Sequence, residues 1–430
     1  MKKTAIVFLV LLMACTALFA GETEPVVRYD LDPNYALDFT FQPTLSRYNA
    51  MGQSGLALPT RIDSFFTNPA ALSRRGFGIS FPSVTVTVYN LEKLVNDPEA
   101  VDIFNKIING KAESGDYANM ATKVLKNLGT GRNVVAKIDT GLAVKLGMMG
   151  FGTNVQVKFH GLNKGTSFAA QKVIPEVNAA QTIALGVKVI DTNALSLSVG
   201  ASVHGVYKAY YKEIGAETMV NLIGGADKEA IKQLFLWDTP VMGGYAIPFD
   251  LGVTLGILDD VLTFSATANN LNGTYHMKSF SGMGDLVNSI SKNAIKVPDT
   301  HETKESESFE IKTPWTLNFG VAFAPVVPVL NPVITADLVD MLELCRSIGS
   351  SDFRWSDLLL HFNAGVEFGL FDVLTVRGGI NRGYLSVGAG LNLYFMQVDA
   401  AYGWQEMGNQ LGDKPVDSLT IKFSLGYDKK

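Results

Sequence analysis

Residues 136–148, AKIDTGLAVKLGM, decide the fold because their apolar side chains recur at every second position. Ile138, Leu142 and Val144 alternate with residues such as Asp139 and Gly141. A strand sends successive side chains to opposite faces, so this stretch predicts a strand with one apolar and one polar face. The same period returns in residues 151–159, 183–189, 195–204, 358–368 and 419–425.

The alternating stretches are long, and the links between them differ in length. Fourteen strands are predicted, at residues 77–89, 133–147, 150–160, 180–190, 194–212, 243–257, 260–270, 310–324, 332–340, 357–370, 372–381, 384–394, 396–404 and 417–427. Tight turns alternate with long links, apart from the tight turn at 381–383. A soluble antiparallel sandwich also alternates, but many of these strands exceed the usual ~5–6 residues. We therefore predict an all-β fold, a transmembrane antiparallel up-and-down barrel.

The long links carry their own periodicity. Residues 91–108 have apolar side chains spaced for one face of a helix, which Pro98 should interrupt. Residues 217–237 and 283–290 are two further helix candidates. Residue 82 is a proline within the first strand, and the apolar phase slips there, which predicts a β-bulge.

The first twenty residues predict export. Lys2 and Lys3 precede a short apolar stretch and small residues up to Ala20, which is typical of a signal peptide. Cleavage after Ala20 would start the mature chain at Gly21, whereas Leu12-Met-Ala-Cys15 resembles a lipobox and would leave Cys15 lipidated. Both possibilities predict export from the cytoplasm, and a barrel belongs in the outer membrane of a Gram-negative-type bacterium.

Composition and motifs exclude several classes of function. The formal net charge is −5 and the basic residues are scattered, so nucleic acid is not an expected partner. The five histidines are dispersed, and no nucleophile elbow, phosphate-binding loop or zinc motif is present. We predict a protein that is not an enzyme, with no catalytic residues, no metal site and no cofactor.

The residues before the first strand carry a resemblance to a known family. They include Asn49-Ala-Met-Gly-Gln-Ser-Gly-Leu-Ala57, then Asp63, then Asn68-Pro-Ala-Ala-Leu72. This order resembles the long-chain fatty-acid transporter (FadL) family of outer-membrane proteins, and we place the chain in a spirochaetal branch of it. The resemblance implies an N-terminal hatch folded inside the barrel. It divides the chain into a signal peptide (1–20), a hatch (21–75) and a barrel with long surface loops (76–430).

The chemistry of these residue types explains why they suit a segment packed inside a barrel. Pro69 disfavours a helical conformation at Asn68, which can then cap its own backbone in an Asx-turn, and Ala70 is small enough to pass close to a wall. Gly52 and Gly55 allow a tight path past other backbone. The predicted hatch or gating residues are Gly52, Gly55, Asp63, Asn68, Pro69 and Ala70.

A fatty acid brings a carboxylate, which needs a cation in a partly dry lumen. The candidate ligand-binding cations on the polar faces are Lys137, Lys145, Lys158, Lys188 and Arg377. The resemblance therefore implies an outer-membrane channel that takes up long-chain fatty acids or similar hydrophobic molecules. The alternative is a barrel with a structural, surface-antigen or secretion-scaffold role. Expected partners are outer-membrane lipid, a hydrophobic ligand and the barrel-assembly machinery.

Overall fold

A computed structural model describes most of the chain after residue 40. The described residues are 41–58, 62–74, 76–127, 131–163, 170–225, 228–291, 294–298, 301, 306–348, 353–371, 373–408 and 410–428. The predicted signal peptide, Cys15 and residues 21–40 of the predicted hatch lie outside this set.

The described residues form one sheet of fourteen wall strands, three of which are interrupted. In chain order these are β1 Phe77–Tyr89, β2 Gly131–Leu146, β3 Met149–Asn163, β4 Gln171–Asp191, β5 Leu195–Tyr211, β6 Val241–Ala246 with Phe249–Ile257, β7 Leu262–Leu271 with Thr274–Phe280, β8 Ser308–Lys312 with Thr316–Phe323, β9 Pro332–Leu338, β10 Phe362–Leu370, β11 Leu374–Asn381, β12 Tyr384–Leu393, β13 Met396–Glu406 and β14 Pro415–Asp428. A two-residue strand, Ile214–Gly215, adds to the end of β4.

The sheet closes on itself. Each strand pairs antiparallel with its neighbours in sequence, and β1 also pairs with β14 from Gly78 opposite Asp428 to Tyr89 opposite Ser418. Both pieces of β6 pair with β5, so the break at 247–248, where Pro248 lacks a backbone donor, does not add a wall strand. The predicted closed barrel of fourteen strands is confirmed.

Burial across the wall is the reverse of that in a soluble protein. Ile183 on β4 is 59 % exposed, and Phe368, Val376 and Ile421 are also exposed on the outer face. The neighbouring polar positions point inward and are buried, among them Asp139, Gln156, Glu176, Thr182, Ser202, Asp337, Glu367, Arg377, Asp399 and Lys422. A wall that presents apolar side chains outward and polar ones inward suits a barrel surrounded by lipid.

Three strand limits differ from the prediction by five or more residues. β7, predicted to end at 270, continues through Thr274–Phe280, within a stretch predicted as a loop. β4 starts at Gln171, within a stretch predicted as a loop, because Lys172, Ile174 and Glu176 continue its inward face opposite β3. β10 starts at Phe362 rather than at 357, since residues Trp355–His361 form a 3-10 helix. The apolar run there satisfied an alternating pattern by chance, which a short run often does.

Apart from α1 Ser46–Ala50, which precedes β1, the α-helices of the described residues lie in the long links on one side of the barrel. The first link holds α2 Leu91–Val95, α3 Pro98–Ile108 and α4 Ser114–Lys126, and the predicted break at Pro98 is confirmed because Pro98 begins α3. Later links hold α5 Ala216–Gly225, α6 Lys228–Gln233, a π-helix Leu234–Asp238, α7 Met283–Ile290 and α8 Met341–Ile348. Within the described ranges, no helix has the length and apolar character needed to span a bilayer.

The predicted bulge in β1 is confirmed. Between Ser80 and Ser83 the register slips against both neighbours: three steps along β1 match two steps on β14 and two on β2. One extra residue is therefore accommodated, and Phe81 is exposed on the outer surface. The bulge lies near the end of the barrel that carries the tight turns.

Candidate functional site

The described residues before β1, 41–58 and 62–74, are called the N-terminal segment below. The segment lies against the inward face of the wall and contains one short helix, α1 Ser46–Ala50, and two 3-10 helices, Ser64–Phe66 and Pro69–Ser73. Most of its side chains are buried, including Phe65, Leu72 and Met51. It reaches strands on opposite sides of the ring, so it occupies the lumen across its width.

Inward-facing glycines in the wall create the room for this segment. A Cβ added at Gly186 on β4 would lie 2.6 Å from the Pro69 carbonyl oxygen, and one added at Gly200 on β5 would lie 2.6 Å from the same atom. Gly252 on β6 and Gly365 on β10 are crowded in the same way, by Asn68 and Met51. Real Cβ atoms do not approach this closely, so side chains at these positions would exclude the segment.

The Asn-Pro-Ala-Ala turn adopts the conformation predicted for it. Asn68 is extended, with φ −143° and ψ 106°, and its Oδ1 accepts a hydrogen bond from the backbone N–H of Ala70 at 3.0 Å. Its Nδ2 donates to the Leu56 carbonyl oxygen at 2.9 Å and to Thr254 Oγ1 on β6 at 3.2 Å. One amide side chain thus holds the turn, the preceding chain and the wall together.

The glycine pair contacts the opposite side of the wall. Gly52 has φ +67° and lies against the backbone of Ile380 on β11, which leaves no room for a side chain. Gly55 has φ +134°, and its N–H donates to Asp337 Oδ2 on β9 at 2.6 Å. The N–H of Leu56 donates to the same oxygen at 3.1 Å, so one inward carboxylate fixes this bend.

Buried ion pairs tie the segment to the wall. The Lys422 ammonium donates to Asp63 Oδ2 at 2.8 Å, which gives the predicted residue Asp63 a definite partner on β14. Arg47 binds both oxygens of Glu367 on β10, at 2.7 and 2.9 Å. Glu367 also accepts from Arg377 at 2.6 Å, and Arg377 reaches Asp399 at 2.6 Å. Arg377, predicted as a ligand cation, thus lies in a buried network with two carboxylates.

Arg47 was not predicted from the sequence, and its replacement tests the network. We expect Arg47→Ala to lower the free energy of unfolding by about 3 kcal/mol, because it leaves one buried carboxylate short of a partner. The measurement is urea-induced unfolding of the refolded chain in lipid vesicles. Arg74→Ala is the matched control: the side chain of Arg74 is 41 % exposed where it pairs with Asp260 at 2.9 Å, so its loss should cost under about 1 kcal/mol. An equal loss of unfolding free energy in the two variants would contradict the conclusion that the buried Arg47 network holds the segment to the wall.

A cavity of about 610 Å³ lies between the N-terminal segment and the side of the barrel that carries the long links. Leu45, Tyr48 and Phe66 of the segment contribute to its floor. Its wall is formed by strand ends near the long links and includes Lys137, Lys158, His160, Asn318, Asp340, Asn363, Arg382, Trp404 and Glu406. Burial raises the pKa of the Asp340 carboxyl above its ordinary value, although the nearby side chains of His361 and Arg382 act in the opposite direction. The lining combines a few apolar side chains with many polar ones.

The predicted ligand cations separate into three groups. Lys137 and Lys158 line the cavity. Lys145 and Lys188 lie towards the tight-turn end of β2 and β4, where Lys188 pairs with Asp191 at 3.0 Å. Arg377 belongs to the buried network beneath the segment. Only the first two are therefore placed where a molecule entering from the long-link side would meet them.

A buried polar cluster beside the cavity was missed by sequence reasoning. Glu176 is fully buried and is contacted by His160 at 2.9 Å, Lys208 at 3.1 Å and Lys158 at 3.8 Å. An apolar cluster packs around it inside the barrel, formed by Leu162, Ile174, Ala180, Val206, Tyr210, Met242, Ala246, Tyr275, Met277 and Ile311. The sequence did contain a signal for the Glu176 cluster, because residues 172–176 continue the alternating pattern of β4. Within the described residues, no group of three or more His, Cys, Asp and Glu side chains is arranged to hold a metal ion.

A second cavity, of about 30 Å³, lies behind the bulge of β1. Ser80 and Ser83 flank the bulge and line this cavity together with Asp63 and Lys422. Pro43, Thr44, Leu45 and Phe66 line both cavities and so lie between them. The segment therefore separates a large space on the long-link side from a small space beside the irregular part of the wall.

Comparison with solved structures gives distant similarities. The chain is similar to the CymD monoaromatic hydrocarbon channel (12 % identity, 92 % of this chain and 99 % of that chain, TM-score 0.43). It is also similar to the Pseudomonas putida toluene transporter TodX (12 %, 90 % and 98 %, 0.43) and to a Pseudomonas aeruginosa FadL homologue (14 %, 90 % and 98 %, 0.39). No protein-family model and no curated protein sequence matches the chain. Membership of the FadL family, and of a spirochaetal branch within it, stays a prediction.

Proposed function

We propose that the protein is an outer-membrane channel that takes up hydrophobic molecules, with long-chain fatty acids as the substrate class. One observation carries this proposal: an apolar outer belt surrounds a polar lumen that the N-terminal segment fills, with a 610 Å³ cavity above it. A volume of several hundred Å³ suits a drug-sized or lipid-sized ligand. Transport would be diffusive, with binding steps and without a cofactor.

The arrangement suggests a route. A hydrophobic molecule would enter the cavity from the long-link side and meet Lys137 or Lys158 with its carboxylate. Displacement of Leu45 and Phe66, which line both cavities, would then connect it to the space behind the β1 bulge. The predicted hatch, residues 21–75, would act as the gate, because all six of its proposed residues hold close backbone or polar contacts with the wall.

Ligand binding by the refolded chain from Gly21 tests this function. We expect saturable binding of oleate, and Lys158→Gln should weaken it about tenfold, because one charge-assisted hydrogen bond contributes about 1.5 kcal/mol. Oleyl alcohol, which lacks the carboxylate, should bind the variant as well as it binds the parent chain. The measurement is displacement of a fluorescent fatty acid.

Lys188→Gln is the matched control, since Lys188 pairs with Asp191 near a tight turn, away from the large cavity. An equal loss of oleate affinity in both variants would point to a general effect of lysine removal and against a carboxylate site at Lys158. Absence of any saturable binding by an intact barrel would remove the transport proposal.

A scaffold or surface role is the second candidate, and one feature favours it. The segment is held by two buried ion-paired contacts, Arg47 with Glu367 and Asp63 with Lys422, in addition to its hydrogen bonds. A plug anchored in this way suits a permanently closed barrel. Uptake of oleate into vesicles that contain the parent chain distinguishes the two, because a closed scaffold would give the rate of empty vesicles.

A further inference from the structure

The wall of the barrel is not equally tall around the ring. β4 has 21 residues, whereas β9, β10 and β11 have 7, 9 and 8. At ~3.4 Å per residue and a tilt of ~40°, a seven-residue strand rises about 18 Å, less than the ~25 Å apolar belt of an outer-membrane barrel. The strands alone leave the belt incomplete on this side.

The tight turns beside the short strands are apolar and exposed. In the turn from β8 to β9, Val326 is 87 % exposed and Val329 and Leu330 are exposed too. Phe371 in the turn from β10 to β11 is 74 % exposed. The turn from β12 to β13 adds Tyr394 and Phe395. These three turns follow one another along the same arc of the rim, and together they form the apolar rim.

The apolar rim is continuous with the outer face of the wall. Backbone hydrogen bonds join neighbouring turns and strands, from Phe371 N to Val329 O at 3.2 Å and from Gly426 N to Phe395 O at 2.9 Å. The side chains of Tyr394 and Tyr427 meet with ring centroids 5.8 Å apart. The exposed outward residues Phe323, Phe368 and Leu393 of the adjoining strands lead directly into these turns.

The opposite arc of the same rim has a different character. The turn from β4 to β5 contains the exposed residues Thr192 and Asn193. The turn from β6 to β7 contains Asp259 and Asp260 beside one exposed apolar residue, Leu258. The strands there are long enough to cross a bilayer without help from their turns. The difference between the arcs follows strand length at β9, β10 and β11, whereas the turn from β12 to β13 joins strands of 10 and 11 residues.

We propose that the apolar rim inserts into the lipid leaflet on the tight-turn side and completes the belt where the wall is lowest. Aromatic and aliphatic side chains are stabilised in the headgroup region. The hydrogen bonds from Phe371 N to Val329 O and from Gly426 N to Phe395 O satisfy backbone groups of these turns that lipid could not. The occupant of this surface is phospholipid. The inference depends on the proposed membrane location and not on the transported molecule.

Site-specific labelling in bilayer nanodiscs tests the proposal. The chain from Gly21 contains Cys345 as its one cysteine, so Cys345→Ser gives a background for single cysteines. The fluorophore nitrobenzoxadiazole would be attached at Phe371→Cys on the apolar rim, at Asn193→Cys on the opposite arc of the rim, and at Ile183→Cys on the outer face of the wall. We expect quenching by spin-labelled lipid to be several-fold stronger at 371 than at 193, and quenching by iodide to be several-fold weaker.

The three sites separate the outcomes. Lipid quenching at 183 together with free iodide access at 371 would overturn the apolar-rim proposal alone. Loss of lipid quenching at both 183 and 371 would overturn the membrane location itself. Shielding of 371 from both quenchers would mean that protein covers this surface, which also contradicts the proposal. Phe395→Cys repeats the test if Phe371→Cys does not refold.

Discussion

Removal of residues 21–75 should turn the barrel into a permanently open pore. A wall of fourteen strands approaches the size at which an empty barrel leaves an aqueous channel. The segment contributes Phe65, Leu72 and Met51 to the filled lumen, and without it the inward carboxylates and cations would face water. We expect a large increase in single-channel conductance in planar bilayers and rapid swelling of vesicles in sugar solutions.

The control for this deletion is removal of residues 98–126, which form α3 and α4 in the first long link. That deletion takes away a shorter part of the chain, on the surface, and should leave conductance near the level of the parent chain. Heat-modifiable gel migration verifies that each barrel has folded. An intact barrel that lacks residues 21–75 and still conducts no more than the parent would refute the lumenal plug.

The second large effect is expected at Gly200. Any Cβ there would lie 2.6 Å from the Pro69 carbonyl oxygen, so Gly200→Leu and the Asn68–Ala70 turn cannot occupy the same space. Overpacking of this kind costs about 1–3 kcal/mol, and withdrawal of the turn from the wall would relieve it. We expect the variant to leak small solutes from vesicles and to be cut by added protease within the N-terminal segment.

Gly205→Leu on the same strand is the matched control. A Cβ at Gly205 would meet no atom within 4 Å among the described residues. The two variants carry the same change in residue type on β5, but Gly200 faces the segment whereas Gly205 is exposed on the outer face. Equal leakage from both, or none from Gly200→Leu in a folded barrel, would show that the close approach at Gly200 does not hold the segment.

The strand pattern could be predicted because a lipid-facing wall imposes it locally. Each outward position must be apolar and each inward position can be polar, so a window such as 136–148 contains the whole signal. The predicted strand limits were wrong where a strand is no longer required to present apolar side chains to lipid. Residues 358–361 have an alternating pattern but do not belong to a wall strand. Residues 171–179 belong to β4 but lie outside the part of the strand that was predicted.

The site was predictable in its local parts only. The Asx-turn at Asn68 follows from the residue itself and from Pro69 after it. The partner of Arg47 is 320 positions away in the chain, and the partner of Asp63 is 359 positions away. Nothing in a local window identifies such pairs, and only closure of the ring brings them together. Lys145, Lys188 and Arg377 were chosen by face alone, which does not fix their height in the lumen.

The pairing of β1 with β14 has a consequence for biogenesis. The barrel cannot close until residues Ser418–Asp428 of β14 have been synthesised and can pair with β1. The residues of the N-terminal segment, which the closed barrel encloses, are synthesised before any of the strands. Those early residues contact strands from β2 to β14, all of which follow them in the chain and are synthesised later. The strands must therefore assemble around an N-terminal segment that is already present, or the segment must enter the lumen after the barrel has closed.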